Sequence, residues 1–82
     1  MKTFVINSAI LLPSTNPKAC ALGSPKRLIQ FGVNVKTCYC CGPEGRVVFI
    51  IEAENKEAAL DAFSKIEVPV ASIVEAEEVI PQ

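Results

Sequence analysis

The chain has 82 residues, which makes one domain, and half of them are apolar at a net charge of −1. Lys26-Arg27 is a pair and not a stripe, so the chain lacks the basic surface with which a nucleic-acid binder displaces counterions. Histidine is absent, which excludes Ser–His and Cys–His nucleophilic pairs and imidazole metal ligands within the chain.

Residues 3–8 read as a first strand, with Phe4 and Ile6 alternating against Thr3, Val5 and Asn7. Pro13 stops it. Pro13 to Gly23 has two prolines and no period, and reads as a loop long enough to suggest a function. Ser24-Pro25 fits a helix start, with serine as N-cap and proline at the first helical position. The first helix is then short, Lys26 to Phe31, with Leu28 and Ile29 on a narrow face and Gly32 closing it.

Val33 to Cys41 alternates as a second strand. Val33, Val35, Thr37, Tyr39 and Cys41 fall on one face, and Asn34, Lys36, Cys38 and Cys40 on the other. Its lysine suits an edge strand. Gly42-Pro43-Glu44-Gly45 is a turn by composition, so the next strand returns antiparallel. That third strand, Arg46 to Ala53, is apolar on both faces: Val47, Phe49 and Ile51 on one, Val48 and Ile50 on the other. Two apolar faces mark a central strand covered on both sides. Two helices packed on one side leave the other to a partner, so a homodimer through the sheet face is expected.

Asn55 caps a second helix, with Glu57 near the positive end of its dipole and Ala59, Ala62, Phe63 and Ile66 inward. Val68-Pro69 ends it. Residues 71–77 make a fourth strand, and Val79-Ile80 leaves an apolar tail able to dock. The order β-α-β-β-α-β is an α+β, ferredoxin-like pattern with a shortened first helix, a four-stranded antiparallel sheet and helices on one face.

The longest apolar runs are four or five residues, against about 20 for a bilayer span. Asn7-Ser8 interrupts the apolar start, so no signal peptide is read and the expected location is the cytoplasm, with no membrane partner. The four cysteines are then reduced thiols.

This arrangement resembles the dimeric α+β barrel superfamily, in which two ferredoxin-like chains pack sheet against sheet. Thr15-Asn16-Pro17-Lys18-Ala19-Cys20-Ala21 is similar to a histidine-threonine-proline-x-x-cysteine-proline segment of small stand-alone members, without the histidine. Gly32-Val33, Pro43-Glu44 and Glu52-Ala53 fit later pieces of the same pattern. The superfamily includes cofactor-free monooxygenases, isomerases, haem enzymes and ligand-sensing modules, so the resemblance implies a fold and a dimer but no single activity.

Cys38 and Cys40 stand two apart on a strand, about 6.6–7 Å apart at Cα, and so point to one side. Thiolates at that spacing reach one soft ion such as Zn²⁺ or Cu(I) at about 2.3 Å. Cys20 supplies a further ligand from the loop, and Cys41 joins the candidate set where the strand bulges at the turn, since it otherwise points the opposite way. The competing readings are that all four pack as small hydrophobes or that they carry redox chemistry. Glu52, late in the central strand, is a candidate general base of a cofactor-independent enzyme, or else a strand-end carboxylate in solvent. Tyr39 and Asn7 are candidate ligand contacts beside Ile50. Three functions follow: a homodimer of unassigned activity holding a small apolar molecule between its sheets, a soft-metal binder, or an enzyme using Glu52.

Overall fold

The computed structural model describes residues 1–12 and 16–81. Its elements run β1 (Lys2–Ser8), α1 (Pro17–Ile29), β2 (Asn34–Cys41), β3 (Arg46–Ala53), α2 (Lys56–Lys65) and β4 (Val70–Ala76). The four strands form one antiparallel sheet in the order β2-β3-β1-β4. This is the expected α+β, ferredoxin-like arrangement, with β3 between two neighbours.

Alternation decides which side is buried. Phe4 and Ile6 of β1, with Val47, Phe49, Ile51 and Ala53 of β3, point to the helical side and are fully or nearly fully buried. Leu28 of α1 and Ala59, Ala62 and Phe63 of α2 meet them there. Phe49 and Phe63 pack edge to face, with ring centroids 5.1 Å apart at 76°. Burying each such large side chain contributes about 1.5–3 kcal/mol.

The first helix departs from its sequence reading. It starts at Pro17, not Lys26, and Pro17 to Gly23 is helix where a loop was expected. Of the rest of that expected loop, residues 13–15 lie outside the described residues and Asn16 directly precedes the helix. Asn16 caps the helix: its side chain accepts the N–H groups of Lys18 and Ala19 at 2.9 and 3.3 Å. Asn16-Pro17 carries the same cap-and-proline signature as Ser24-Pro25. The earlier start prevails because it lays two more turns, with Cys20, Ala21 and Ser24, against the core. Ser24 is therefore buried in mid-helix, its hydroxyl donating to the Cys20 carbonyl at 2.6 Å.

Both helices end alike. After α1, Val33 N–H donates to Leu28 O and Gly32 N–H to Ile29 O, with Gly32 at φ +81°. After α2, Val68 N–H donates to Phe63 O and Glu67 N–H to Ser64 O, with Glu67 at φ +61°. The left-handed corner is the one glycine fills most cheaply. A glutamate holds it in the second case.

Strand β2 also differs. Its register passes from Val35 opposite Ile51 to Thr37 opposite Ile50, so Lys36 is an extra, bulged residue. Val35 consequently shares the helical side with Cys38 and Cys40, while Asn34, Thr37, Tyr39 and Cys41 share the open side. Simple alternation had put Val35 with Tyr39 and Cys41; one inserted residue exchanges the faces.

The open side carries Val5, Val48 and Ile50, each half-buried, with Val74 and Tyr39 exposed. Lys36 on one edge meets Glu78, beyond β4 on the other, at 3.9 Å. The segment after β4 thus crosses the end of this side, leaving a hollow of about 440 Å³ beside Thr3, Thr37 and Ile50. Val79 and Ile80 remain exposed. Among the described residues, no helix is long and apolar enough to cross a membrane.

Candidate functional site

The chemistry-bearing side chains gather where α1 lies over the edge strand β2. Pro25 sits inside α1 and has no N–H, so the carbonyl of Ala21, four residues back, has no helical donor. Cys38 points up from β2 at that place, and its thiol donates to the Ala21 carbonyl at 3.8 Å. A proline gap in the helix has become the acceptor for a cysteine on the sheet.

Ala21 follows Cys20, so the same contact brings Cys38 to the first turns of α1. Both sulfur-bearing side chains are partly buried against the core. The Cys20 sulfur lies 3.6 Å from the Ser24 hydroxyl. Burial raises the pKa of the Cys38 thiol, and a negative charge on Cys20 raises it further. The fold therefore favours the neutral form of the Cys38 thiol.

Cys40 is on the same side of β2, opposite Val47, but exposed. Cys41 is on the open side, opposite Arg46. All four cysteines are free thiols. Among the described residues, no group of three or more Cys, His, Asp or Glu side chains is arranged to hold a metal ion. A pair of thiols falls short of the four-ligand tetrahedron of structural Zn²⁺.

The other sequence candidates lie on the open side, away from these thiols. Glu52 accepts a hydrogen bond from the Asn34 side-chain amide at 3.1 Å, near the end of β3. Asn7 is half-buried and donates to the Ser72 hydroxyl at 3.1 Å across to β4. Tyr39 is exposed opposite Val48, and Ile50 lines the hollow under Glu78.

Sequence reasoning missed Arg27. With α1 starting at Pro17, Cys20, Ser24 and Arg27 stand at i, i+4 and i+7 on one helix face. Arg27 donates through Nη2 to the carbonyl of Ile66 at 3.1 Å, tying α1 to the end of α2. The helical spacing was available once Asn16-Pro17 was taken as the start.

No protein-family model matches the chain, and no curated protein matches it. Among solved structures, the chain is similar to a heavy metal binding protein from Thermotoga maritima, determined by NMR. Identity is 27%, the TM-score is 0.56, and the match covers 90% of this chain and 98% of that one.

Proposed function

We propose that this protein binds a soft, thiophilic metal ion through the thiolates of Cys20 and Cys38. The observation that carries the reading is the Cys38–Ala21 contact, which seats a sheet thiol beside the helix residue next to Cys20. The structural likeness to a heavy metal binding protein supports it. Each thiol loses its proton as its sulfur bonds the ion, and the ion's charge offsets the penalty that keeps Cys38 protonated in its absence. Cys40, exposed at the next inward position of β2, offers an additional thiol near the opening of the hairpin. Anaerobic Cu(I) titration against a competing chelator tests the site. One equivalent should bind tightly to wild type and to Cys41→Ser. The double variant Cys20→Ser/Cys38→Ser should lose the affinity; wild-type binding by that variant ends the proposal.

The open side of the sheet favours a second, compatible reading. Val5, Val48, Ile50 and Val74 form an apolar surface that neither helix covers. A second copy of the chain placed sheet to sheet would bury it, forming a homodimer with room for a small apolar molecule beside Ile50. Light scattering on the purified protein distinguishes a dimer from a monomer.

A further inference from the structure

A groove of about 820 Å³ lies where α1 passes the end of α2 and the chain that leaves β1. Ile10, Leu12 and Val68 give it apolar walls, and Arg27 and Glu67 stand on its lining with opposite charges. We propose that this groove binds a free α-amino acid with an apolar side chain. Arg27 meets the carboxylate and Glu67 meets the ammonium, while the side chain lies among Ile10, Leu12 and Val68. The site needs no metal and does not depend on the soft-metal reading.

The placing of the two charges comes first. Arg27 Nη2 donates to the Ile66 carbonyl at 3.1 Å, and that carbonyl belongs to the peptide joining Ile66 to Glu67. The guanidinium thus ends beside the backbone of Glu67. Yet neither side chain forms an ion pair among the described residues. Lys65, the cation nearest to Glu67 in sequence, is engaged elsewhere: with Asp61 at 3.0 Å and over the Phe31 ring. A guanidinium has five N–H donors, so several remain after one is used. A free amino acid carries its carboxylate and ammonium on one carbon, and can give both residues a charge-assisted hydrogen bond at once. A ligand of single charge leaves one of them without a partner.

The corner at Glu67 is the second observation. Its backbone stands at φ +61°, a left-handed conformation that glycine fills most cheaply. The fold alone gives no reason for a carboxylate there. A local backbone cost of this kind persists where the side chain it presents has a ligand to meet.

The third is the apolar lining. Val68 is buried, whereas Ile10 and Leu12 are exposed, and a leucine or phenylalanine side chain in the groove would cover them. The volume falls within the range of about 300–1,000 Å³ usual for small-molecule sites, so either side chain has room.

The metal-free full chain is titrated with leucine and with phenylalanine in a calorimeter. Each is compared with an analogue lacking the ammonium (isocaproate, hydrocinnamate) and one lacking the carboxylate (isoamylamine, phenethylamine). At least one amino acid should bind about tenfold more tightly than either of its analogues. Arg27→Gln should lower amino-acid affinity by a similar factor and leave the amine unaffected. Glu67→Gln should lower it likewise and leave the acid unaffected. Glu67→Gly should lose the same affinity while thermal unfolding shows a fold at least as stable. The two Glu67 variants keep the test independent of the Arg27–Ile66 contact. Failure of both amino acids to bind overturns the proposal. So does an analogue that binds as tightly as its amino acid, or wild-type affinity in Glu67→Gly.

Discussion

Pro25 and Cys38 are coupled through one oxygen atom: the proline cannot donate to the Ala21 carbonyl, and the Cys38 thiol donates there at 3.8 Å. The two residues are remote in sequence and on different elements, yet each accounts for the other's environment. An interior proline without such a partner leaves a carbonyl that water or a side chain must satisfy.

Replacing Pro25 with alanine restores a backbone donor for Ala21. Stability should rise by about 1–3 kcal/mol, measured by urea unfolding. Cys38 should at the same time lose its acceptor. Its neutral form is then less favoured, and alkylation by iodoacetamide should accelerate in a background where Cys20, Cys40 and Cys41 are serine. Unchanged alkylation would show that the carbonyl contact does not govern this thiol.

The pH dependence has a definite sign. The Cys38 pKa is raised in the fold, chiefly by burial and then by Cys20. Its neutral form is thus the one the fold favours. The associated stability is complete below the ordinary thiol value, about 8.5, and is lost as pH rises through the raised value. Metal-free wild type should therefore weaken on alkaline titration more steeply than Cys38→Ser, as read by thermal unfolding at successive pH values. At the proposed thiolate site metal affinity should run the other way, increasing up to about tenfold per pH unit for each proton released.

Glu67 occupies a left-handed corner at φ +61°. Glycine there should stabilise the protein by about 1 kcal/mol, which for a chain of this size raises Tm by roughly 4–8 °C. A neutral or lower Tm for Glu67→Gly would mean that the glutamate side chain makes a compensating interaction.

Phe63 supplies the edge-to-face contact with Phe49. Phe63→Ala should cost about 3–5 kcal/mol, a large share of the roughly 5–15 kcal/mol typical of a domain. Loss of the cooperative unfolding transition at 37 °C, followed by circular dichroism, is the expected result.

Ile50 faces the uncovered side of the sheet. If two copies associate there, Ile50→Glu should lower the mass seen by light scattering from dimer to monomer without changing the circular dichroism. A dimer unaffected by that substitution would place the contact elsewhere.

Period and punctuation made most of the sheet legible. Val47 to Ile51 announced a central strand, Gly42 to Gly45 its hairpin, and Asn55 the start of α2, whose side chain accepts the Ala58 N–H at 2.7 Å. The start of α1 was not legible by cap chemistry alone. Asn16-Pro17 and Ser24-Pro25 carry equivalent signals, and only burial against the sheet separates them. The bulge at Lys36 is a pairing property: Val35 turns toward the helices because of its register with Ile51, which no local pattern in β2 records. For the site, Cys38 and Cys40 were visible as a same-side pair and Cys20 as a possible companion. That Cys38 meets the first turns of α1 follows from the longer helix, and Arg27 came into view only with it.

The same bulge has a consequence for crowded solution. Strand β2 is one rim of the sheet and β4 is the other, where the pairing with β1 is offset between Asn7 and Ser8. An irregular rim bearing a lysine is a poor template for stacking another chain. With half its residues apolar, the protein would otherwise offer neighbours two ready seams for fibre growth, and its misaligned margins work against that fate.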